Sequence, residues 1–303
     1  MTTELNAIKF KSQTHPSHRF QNLYGLLGDD LLYQSWEQLN KRVAPGIDGI
    51  TVPTYQQALV ENLTRLRLAL KARRYRANDI KQVFIPKSNG KQRPLGLPTV
   101  DDKLVQQSVS QILQSIWEAG FLPNSYGYRP HKGAHQAVHS VVLNLQFKGY
   151  GYIVEADIKG FFDNLDHDWL MEMLKQRIDD KALLSLIGQW LKAWKPRMKG
   201  RAMLLRYADD FVCAFQYAND AERFYRVLPK RLKKFKLDTA PEKTSLLRFS
   251  RFYPSRKRQF FFLGFAFYWG IDVKGKPRLR RRTASKKQQA SLSEFYHFIK
   301  AKR

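Results

Sequence analysis

Cysteine is nearly absent from this 303-residue chain, with Cys213 its only example. One thiol cannot build a disulfide framework within the chain, nor a cysteine-based zinc site. Long apolar runs are missing too. No stretch reaches the roughly 18 consecutive apolar residues that a membrane-spanning helix needs, and the polar first twenty residues hold no apolar leader core. There is no lipidation signal and no basic amphipathic helix of the membrane-surface kind. A cytoplasmic chain with no membrane partner is the expectation. Acidic residues are scarce: 26 Asp and Glu stand against 53 Lys and Arg, a formal net charge of +27. Such a charge makes a compact domain repel itself, and a polyanion partner, most commonly nucleic acid, is the usual reason for keeping it. The 43% of hydrophobic residues is enough for a core and argues against wholesale disorder. There are no internal repeats and no low-complexity linker.

Periodicity sets the coarse organisation. Leu31, Leu32, Trp36 and Leu39 predict a helix over 29–39, and Leu59, Leu63, Leu66 and Leu70 stripe a second over 55–71. Between them, 42–49 is a loop rich in turn formers. Strands over 82–86 and 93–97 flank a Ser-Asn-Gly turn. A helix over 101–117 is capped by Thr99 or Asp101. After a loop at 125–130 come a helix over 134–145 and an apolar strand over 152–157. Asp166 caps a helix carrying Leu170, Met173, Leu174 and Ile178, and a further helix covers 182–192. Strands over 202–207 and 211–215 meet at an acidic turn. A helix over 221–232 precedes an apolar hairpin, 260–262 and 265–268, around Leu263 and Gly264. The tail is basic, with Arg280, Arg281, Arg282, Lys286 and Lys287, and ends in a helix over 286–299. Segregated helices and antiparallel hairpins give an α+β fold.

The chemistry concentrates in two segments. Tyr207-Ala208-Asp209-Asp210 puts two adjacent carboxylates at a hairpin tip, which is electrostatically costly. A bare Asp-Asp pair is more often an exposed polar turn. Here Met203, Leu204 and Leu205 on one side and Phe211 and Val212 on the other predict a buried hairpin that fixes the acids, and a divalent cation would relieve their repulsion. Upstream, Asp157 ends an apolar strand and is followed by Gly160, Phe161 and Phe162. Alone, such an Asp often only caps a turn. Together, Asp157, Asp209 and Asp210 supply three carboxylates on adjacent strands, the donor set of two-metal phosphoryl transfer.

These two segments resemble the metal-binding motifs of reverse transcriptases, and the group II intron branch is the most similar. Further blocks match that branch in order: Ala44-Pro-Gly-Ile-Asp-Gly49, Ile85-Pro86-Lys87 followed by Arg93-Pro-Leu-Gly-Leu-Pro98, Ser125-Tyr-Gly-Tyr-Arg-Pro130, and Phe262-Leu-Gly-Phe265. The resemblance implies a right-hand polymerase whose antiparallel palm sheet carries helices on one face. It implies an N-terminal extension and start of fingers in 1–75, fingers in 76–150, palm in 151–270, and a basic tail beginning the thumb in 271–303. It also implies RNA-directed DNA synthesis with an RNA template (intron RNA), a DNA primer, dNTPs and two Mg²⁺ ions.

Residue by residue, the resemblance gives Asp157, Asp209 and Asp210 the metals. It gives Lys87 and Arg93 the incoming triphosphate, work that suits a point charge and a planar fork. Phe162 would lie under the sugar and exclude a 2′-hydroxyl. Arg129 would shape the nucleotide pocket, and Lys243 would stand near the metals. Considered singly, Lys87 and Arg93 read equally well as a solvated basic hairpin. Phe162 reads as core packing, Arg129 as a structural ion pair, and Lys243 as a surface lysine.

The pattern breaks once. Asp157 and Asp209 stand 52 residues apart, where the family's interval holds a Pro-Gln-Gly-Gly motif, another strand and a long palm helix. An internal deletion near 193–195 accounts for the gap. The thumb is expected to be at most begun by the last helix, without the DNA-binding and endonuclease segments of longer relatives. Three readings follow: a polymerase impaired by the missing block, a maturase-like splicing cofactor that binds RNA without polymerising, and an inactive relic.

Overall fold

The computed structural model describes residues 3–86, 92–147, 149–158, 161, 165–193, 210–255, 257–285, 288, 289 and 292. In chain order the main elements are α1 (Thr3–Thr14), α2 (Asp29–Gln38), α3 (Val52–Gln57), α4 (Leu59–Lys71), β1 (Lys81–Pro86), β2 (Gln92–Leu97), α5 (Val100–Trp117), α6 (Ala134–Phe147), β3 (Tyr152–Asp157), α7 (His167–Lys175), α8 (Lys181–Ala193), β4 (Asp210–Phe215), α9 (Ala218–Lys233), β5 (Ser245–Arg248), β6 (Gln259–Phe262), β7 (Phe265–Ile271) and β8 (Pro277–Thr283). The mixed α+β class expected from the sequence is the one observed. Contacts divide the chain into two compact units: Met1–Phe121 with His167–Arg197, and Leu122–Asp166 with Met198–Arg303. No helix among the described residues is long and apolar enough to cross a membrane.

The first unit is helical and centres on α5. Thr99 caps it reciprocally: its hydroxyl accepts from Asp102 N at 3.3 Å and donates to Asp102 Oδ2 at 2.8 Å, a side-chain closure of an exposed helix start. Leu104, Val105, Val109, Ile112 and Ile116 are all buried, in one cluster with residues of α2, α4 and α8. A polar seam ties α5 to α2. Ser35 and Ser108 hydroxyls lie 2.7 Å apart, and Gln111 Nε2 donates to Ser35 at 2.9 Å.

Two features of this unit depart from the sequence expectation. Helix α1 forms in a stretch with almost no apolar stripe. It is held by docking instead: Leu5 is buried, and Ser12, which donates to the Ile116 carbonyl, accepts from Arg177 Nη2 at 2.9 Å. The single helix expected over 55–71 is two, because the backbone breaks at Ala58 (φ −122°, ψ 42°). Tyr55 explains the break. Its ring stacks on Trp36 with centroids 5.8 Å apart and its hydroxyl donates to Asp101 at 2.6 Å. That anchoring directs α3 away from the leucine stripe of α4.

The β1–β2 hairpin pairs antiparallel from Lys81↔Leu97 to Pro86↔Gln92, and its entry is fixed by a buried carboxylate. Asp102, 1% exposed, accepts from the Tyr75 hydroxyl and from the backbone and side-chain nitrogens of Asn78 at 3.2 and 3.1 Å. Its exit is fixed by the 42–49 loop. A Cβ on Gly46 would lie 2.6 Å from the backbone nitrogen of Thr99, so the loop seats directly on the α5 cap. Lys103 Nζ donates to the Ala44 carbonyl at 2.6 Å.

The second unit holds two three-stranded antiparallel sheets, ordered β4-β3-β5 and β6-β7-β8. Ala137, Val138 and Leu145 of α6 share a core with Ile153 of β3, Phe260 and Phe262 of β6, and Phe267 and Trp269 of β7. Leu228 and Leu232 of α9 share another with Ala156, Ile158 and Phe211. Strand β8 corrects the expectation of a basic tail: residues 277–283 pair with β7 from Ile271↔Pro277 to Phe265↔Thr283. Only Leu279 of β8 is buried. The arginines disguise the strand because it is an edge, where exposed charge keeps the ladder from pairing further. The strand expected at 202–207 and most of the helix expected over 286–299 lie outside the described residues.

Two substitutions test the seating of the 42–49 loop. Gly46→Ala is expected to lower unfolding free energy by about 2–3 kcal/mol, because the methyl meets backbone that cannot yield. Gly25→Ala, whose added carbon meets nothing within 4 Å, should change it by less than about 0.5 kcal/mol. Urea denaturation of both variants measures the difference, and equal midpoints would refute the close approach.

Candidate active site

Strand alternation decides which side chains of β3 reach the site. Ala156 and Ile158 join the core under α9, and Ile153 joins the core under α6. Asp157 has the parity of Ile153 and Glu155. Glu155 Oε2 accepts from the Phe261 backbone nitrogen at 3.3 Å, and Asp157, 5% exposed, ends the strand. The register with β4 sets Asp157 directly opposite Asp210.

The chain after α9 returns to this point. Ile158 bridges to Thr239, and Ala240 N donates to the Asp157 carbonyl at 2.9 Å. A single 3-10 turn, Pro241–Lys243, follows and carries Lys243 Nζ to 2.5 Å from Asp157 Oδ2. The carboxylate is buried and the lysine is largely exposed. A cavity of about 550 Å³ opens beside the pair, walled by Glu155, Asp157, Glu242 and Lys243 and by the β6–β7 turn. That turn has Leu263 at φ 51° and Gly264 at φ 78°, the double left-handed conformation that matches the twist of a tight hairpin. A leucine there is strained, and such strain gathers at sites the surroundings over-determine.

The other residues singled out in the sequence are distributed as follows. Arg129 Nη1 donates to the carbonyls of Leu122 and Ser125, both at 2.8 Å, so its guanidinium braces its own loop. Arg93 pairs with Ile85 in the β1–β2 ladder, and its side chain lies outside the described residues. Lys87, Phe162, Asp209 and the side chain of Asp210 lie outside them as well. Among the described residues no three His, Cys, Asp or Glu side chains gather as a metal site. Sequence reasoning passed over Glu155 and Glu242. The first was legible, since it stands two residues before Asp157 on an alternating strand. The second became visible only once the chain had turned back at Pro241.

The reverse transcriptase (RNA-dependent DNA polymerase) family matches the chain in two stretches, residues 85–203 and 178–267, which together cover more than half of it. This chain belongs to the reverse transcriptase family. It is 35% identical over 187 residues to Protein YkfC of Escherichia coli, covering 59% of this chain and 49% of that protein. It is 35% identical over 191 residues to the group II intron-encoded protein LtrA of Lactococcus lactis, covering 62% and 32%. Nuclear intron maturase 1, a mitochondrial protein of Arabidopsis thaliana, is 27% identical over 210 residues, covering 62% and 29%. The chain is thus homologous to group II intron-encoded proteins and maturases, and spans about half or less of the length of these relatives. Asp157, Asp210 and Lys243 of this family member all fall within the matched stretches.

The seating of β4 has a built-in reporter. Burial pushes the Cys213 thiol, three residues beyond Asp210, up to about 11, because a thiolate loses its hydration there. Near pH 8 its alkylation by iodoacetamide is expected to run about 100-fold slower in the native chain than in urea, following the thiolate fraction. Equal rates would mean that β4 is not packed as described.

Proposed function

We propose that this chain is an RNA-directed DNA polymerase of the group II intron type, with the fingers, palm and beginning thumb of a right-hand polymerase, working at a reduced rate. The observation that carries the reading is the β3–β4 register, which sets Asp157 opposite Asp210 beside an open cavity. The donor set fits a divalent cation, since Asp157 lies at the cavity wall and stands opposite Asp210 in the ladder, and paired acids gain from a charge between them. Held by Asp157, Asp209 and Asp210, two Mg²⁺ ions would activate the primer 3′-hydroxyl and stabilise the leaving pyrophosphate. Lys243 orients the Asp157 carboxylate. Lys87 and Arg93 grip the triphosphate of the incoming dNTP, Phe162 lies under its sugar and rejects a 2′-hydroxyl, and Arg129 stiffens the loop that shapes the pocket. The template is RNA, intron RNA in this reading, and the primer is DNA.

The reduced rate follows from the missing block. The two family matches overlap at 178–203, the region where the motif spacing breaks. A displacement of about 1 Å in such a site costs on the order of 10²-fold. Primer extension on an RNA template with dNTPs and Mg²⁺ tests the reading. Weak extension is expected, lost in Asp209→Ala and raised when a family-like segment is restored between Ala193 and Lys195. No extension from a folded, RNA-binding chain rejects it.

A second reading is a maturase-like cofactor that stabilises folded RNA without polymerising. The net charge of +27 and the similarity to an intron maturase favour it. That role needs cations and not the three acids. In that case the triple alanine variant at Asp157, Asp209 and Asp210 keeps RNA affinity within about twofold and keeps splicing support. Splicing support lost with those acids would count against it.

A further inference from the structure

The last turn of α4 closes as a Schellman motif. Arg74 N donates to the Ala69 carbonyl and Arg73 N to the Leu70 carbonyl, both at 2.8 Å. That closure puts Arg73 in the left-handed region, φ 54°, at the position glycine normally takes. A side chain there is strained, so the arginine is held against a conformational penalty. The same motif ends α9, where Leu237 N and Lys236 N close the turn and Lys236 has φ 54°. Lys236 is accounted for: its ammonium lies 3.5 Å from Asp166.

Arg73 borders two openings, and one of them, which it shares with Asp29 and Asp180, has carboxylates in its wall. The other is a cavity of about 460 Å³ that Arg73 lines together with Arg76 and Lys181 and with Ser185 and Gln189, and no carboxylate is in its wall. Among the described residues neither the Arg73 guanidinium nor the Lys181 ammonium has an ion-pair or hydrogen-bond partner. Arg76 is fixed, donating to the carbonyls of Tyr75 and Arg73 at 2.8 and 3.1 Å. Lys181, Ser185 and Gln189 recur every four residues on one face of α8. The cavity wall is anchored from below: Tyr75 donates to Asp102, and Trp190 Nε1 donates to the Tyr75 hydroxyl at 3.4 Å.

We propose that this cavity between the end of α4 and the exposed face of α8 binds a backbone phosphate of RNA, with Arg73 as its principal contact. The inference rests on the RNA-binding part of the reading above and not on polymerisation. Two guanidiniums and an ammonium around one opening suit a phosphodiester, since Arg pairs with phosphate oxygens through parallel N–H donors. Hydroxyl and amide groups beside them suit a ribose edge.

The experiment compares Arg73→Gly with Lys236→Gly, which removes one cation from the same motif elsewhere. Fluorescence anisotropy with a labelled single-stranded oligoribonucleotide is read across a salt series, alongside thermal melts. Arg73→Gly should melt about 2–4 °C higher, because strain is relieved. It should bind RNA about 5- to 10-fold more weakly, with a log–log salt slope shallower by about one. Lys236→Gly should stay within about twofold of the unmodified chain. Lys181→Gln should weaken RNA binding like Arg73→Gly without raising the melt. Equal affinities for the two glycine variants overturn the proposal. So does an Arg73→Gly variant that loses affinity for inorganic triphosphate but not for RNA, which would make the cavity a free-anion site. An unmodified chain that binds no RNA overturns this inference and the polymerase reading together. Absent primer extension with the expected Arg73→Gly behaviour would remove only the latter.

Discussion

The antiparallel pairing of β3 with β4 sets Asp157 opposite Asp210, and like charges placed directly across a ladder destabilise it. The second unit is arranged to hold that juxtaposition in place. Apolar residues on both faces of β3 lock the strand between α6 and α9. The return segment bonds to the Asp157 carbonyl through Ala240 and brings Lys243 to the carboxylate. One oxygen of Asp157 therefore meets a cation carried by a turn, while its backbone is fixed by the segment leading into that turn. Moving either element moves the other, so the geometry around Asp157 depends on the whole of residues 237–243.

The first unit solves a related problem with opposite means. Asp102 is buried inside it, where a lone carboxylate costs several kcal/mol. Here it accepts from Tyr75, from both nitrogens of Asn78 and from Thr99. Those donors come from the entry and exit of the β1–β2 hairpin and from the α5 cap, so one side chain registers three pieces of chain. Gly46 adds a fourth by direct backbone contact. Burial and the Asp102 carboxylate hold the Tyr75 hydroxyl well above the ordinary phenol range, so it stays a donor throughout the physiological range.

Motifs and periodicity exposed the parts of this structure that rest on local pattern. The apolar run of β3, the Thr99 cap of α5, the Leu263-Gly264 hairpin and the leucine stripe of α4 were all legible, because each is set by neighbours in sequence. The features that were not legible depend on distant partners. Nothing in 3–14 announces a helix, since its stabilisation comes from Ile116 and Arg177. The break at Ala58 follows from Trp36 and Asp101 claiming Tyr55. Strand β8 reads as a basic tail until β7 is there to pair with it. At the site, Asp157 was legible from its strand. The bond from Lys243 was not, because 86 residues separate the two and only the fold brings them together; the family resemblance supplied the position without the contact.

The disposition of the scarce acids completes the argument about charge. Asp101 is taken by Tyr55 and Arg65, and Asp180 by the backbone nitrogens of Tyr24, Ala182 and Leu183. Asp179 is taken by Arg19 and Gln21, and Asp272 by the nitrogens of its own turn at Lys274 and Lys276. Two of these carboxylates pair with exposed arginines, Asp179 with Arg19 and Asp101 with Arg65, while Asp180 and Asp272 accept from backbone nitrogens. With 53 basic side chains against 26 acidic ones, many cations have no acid to pair with, and the chain keeps a strong positive field outside. Such a field raises the cost of folding alone and lowers the cost of folding around a polyanion. The same imbalance leaves exposed cations on β8 and at the α4 end beside a well-knit interior, where carboxylates such as Asp102 and Asp180 meet N–H and O–H donors.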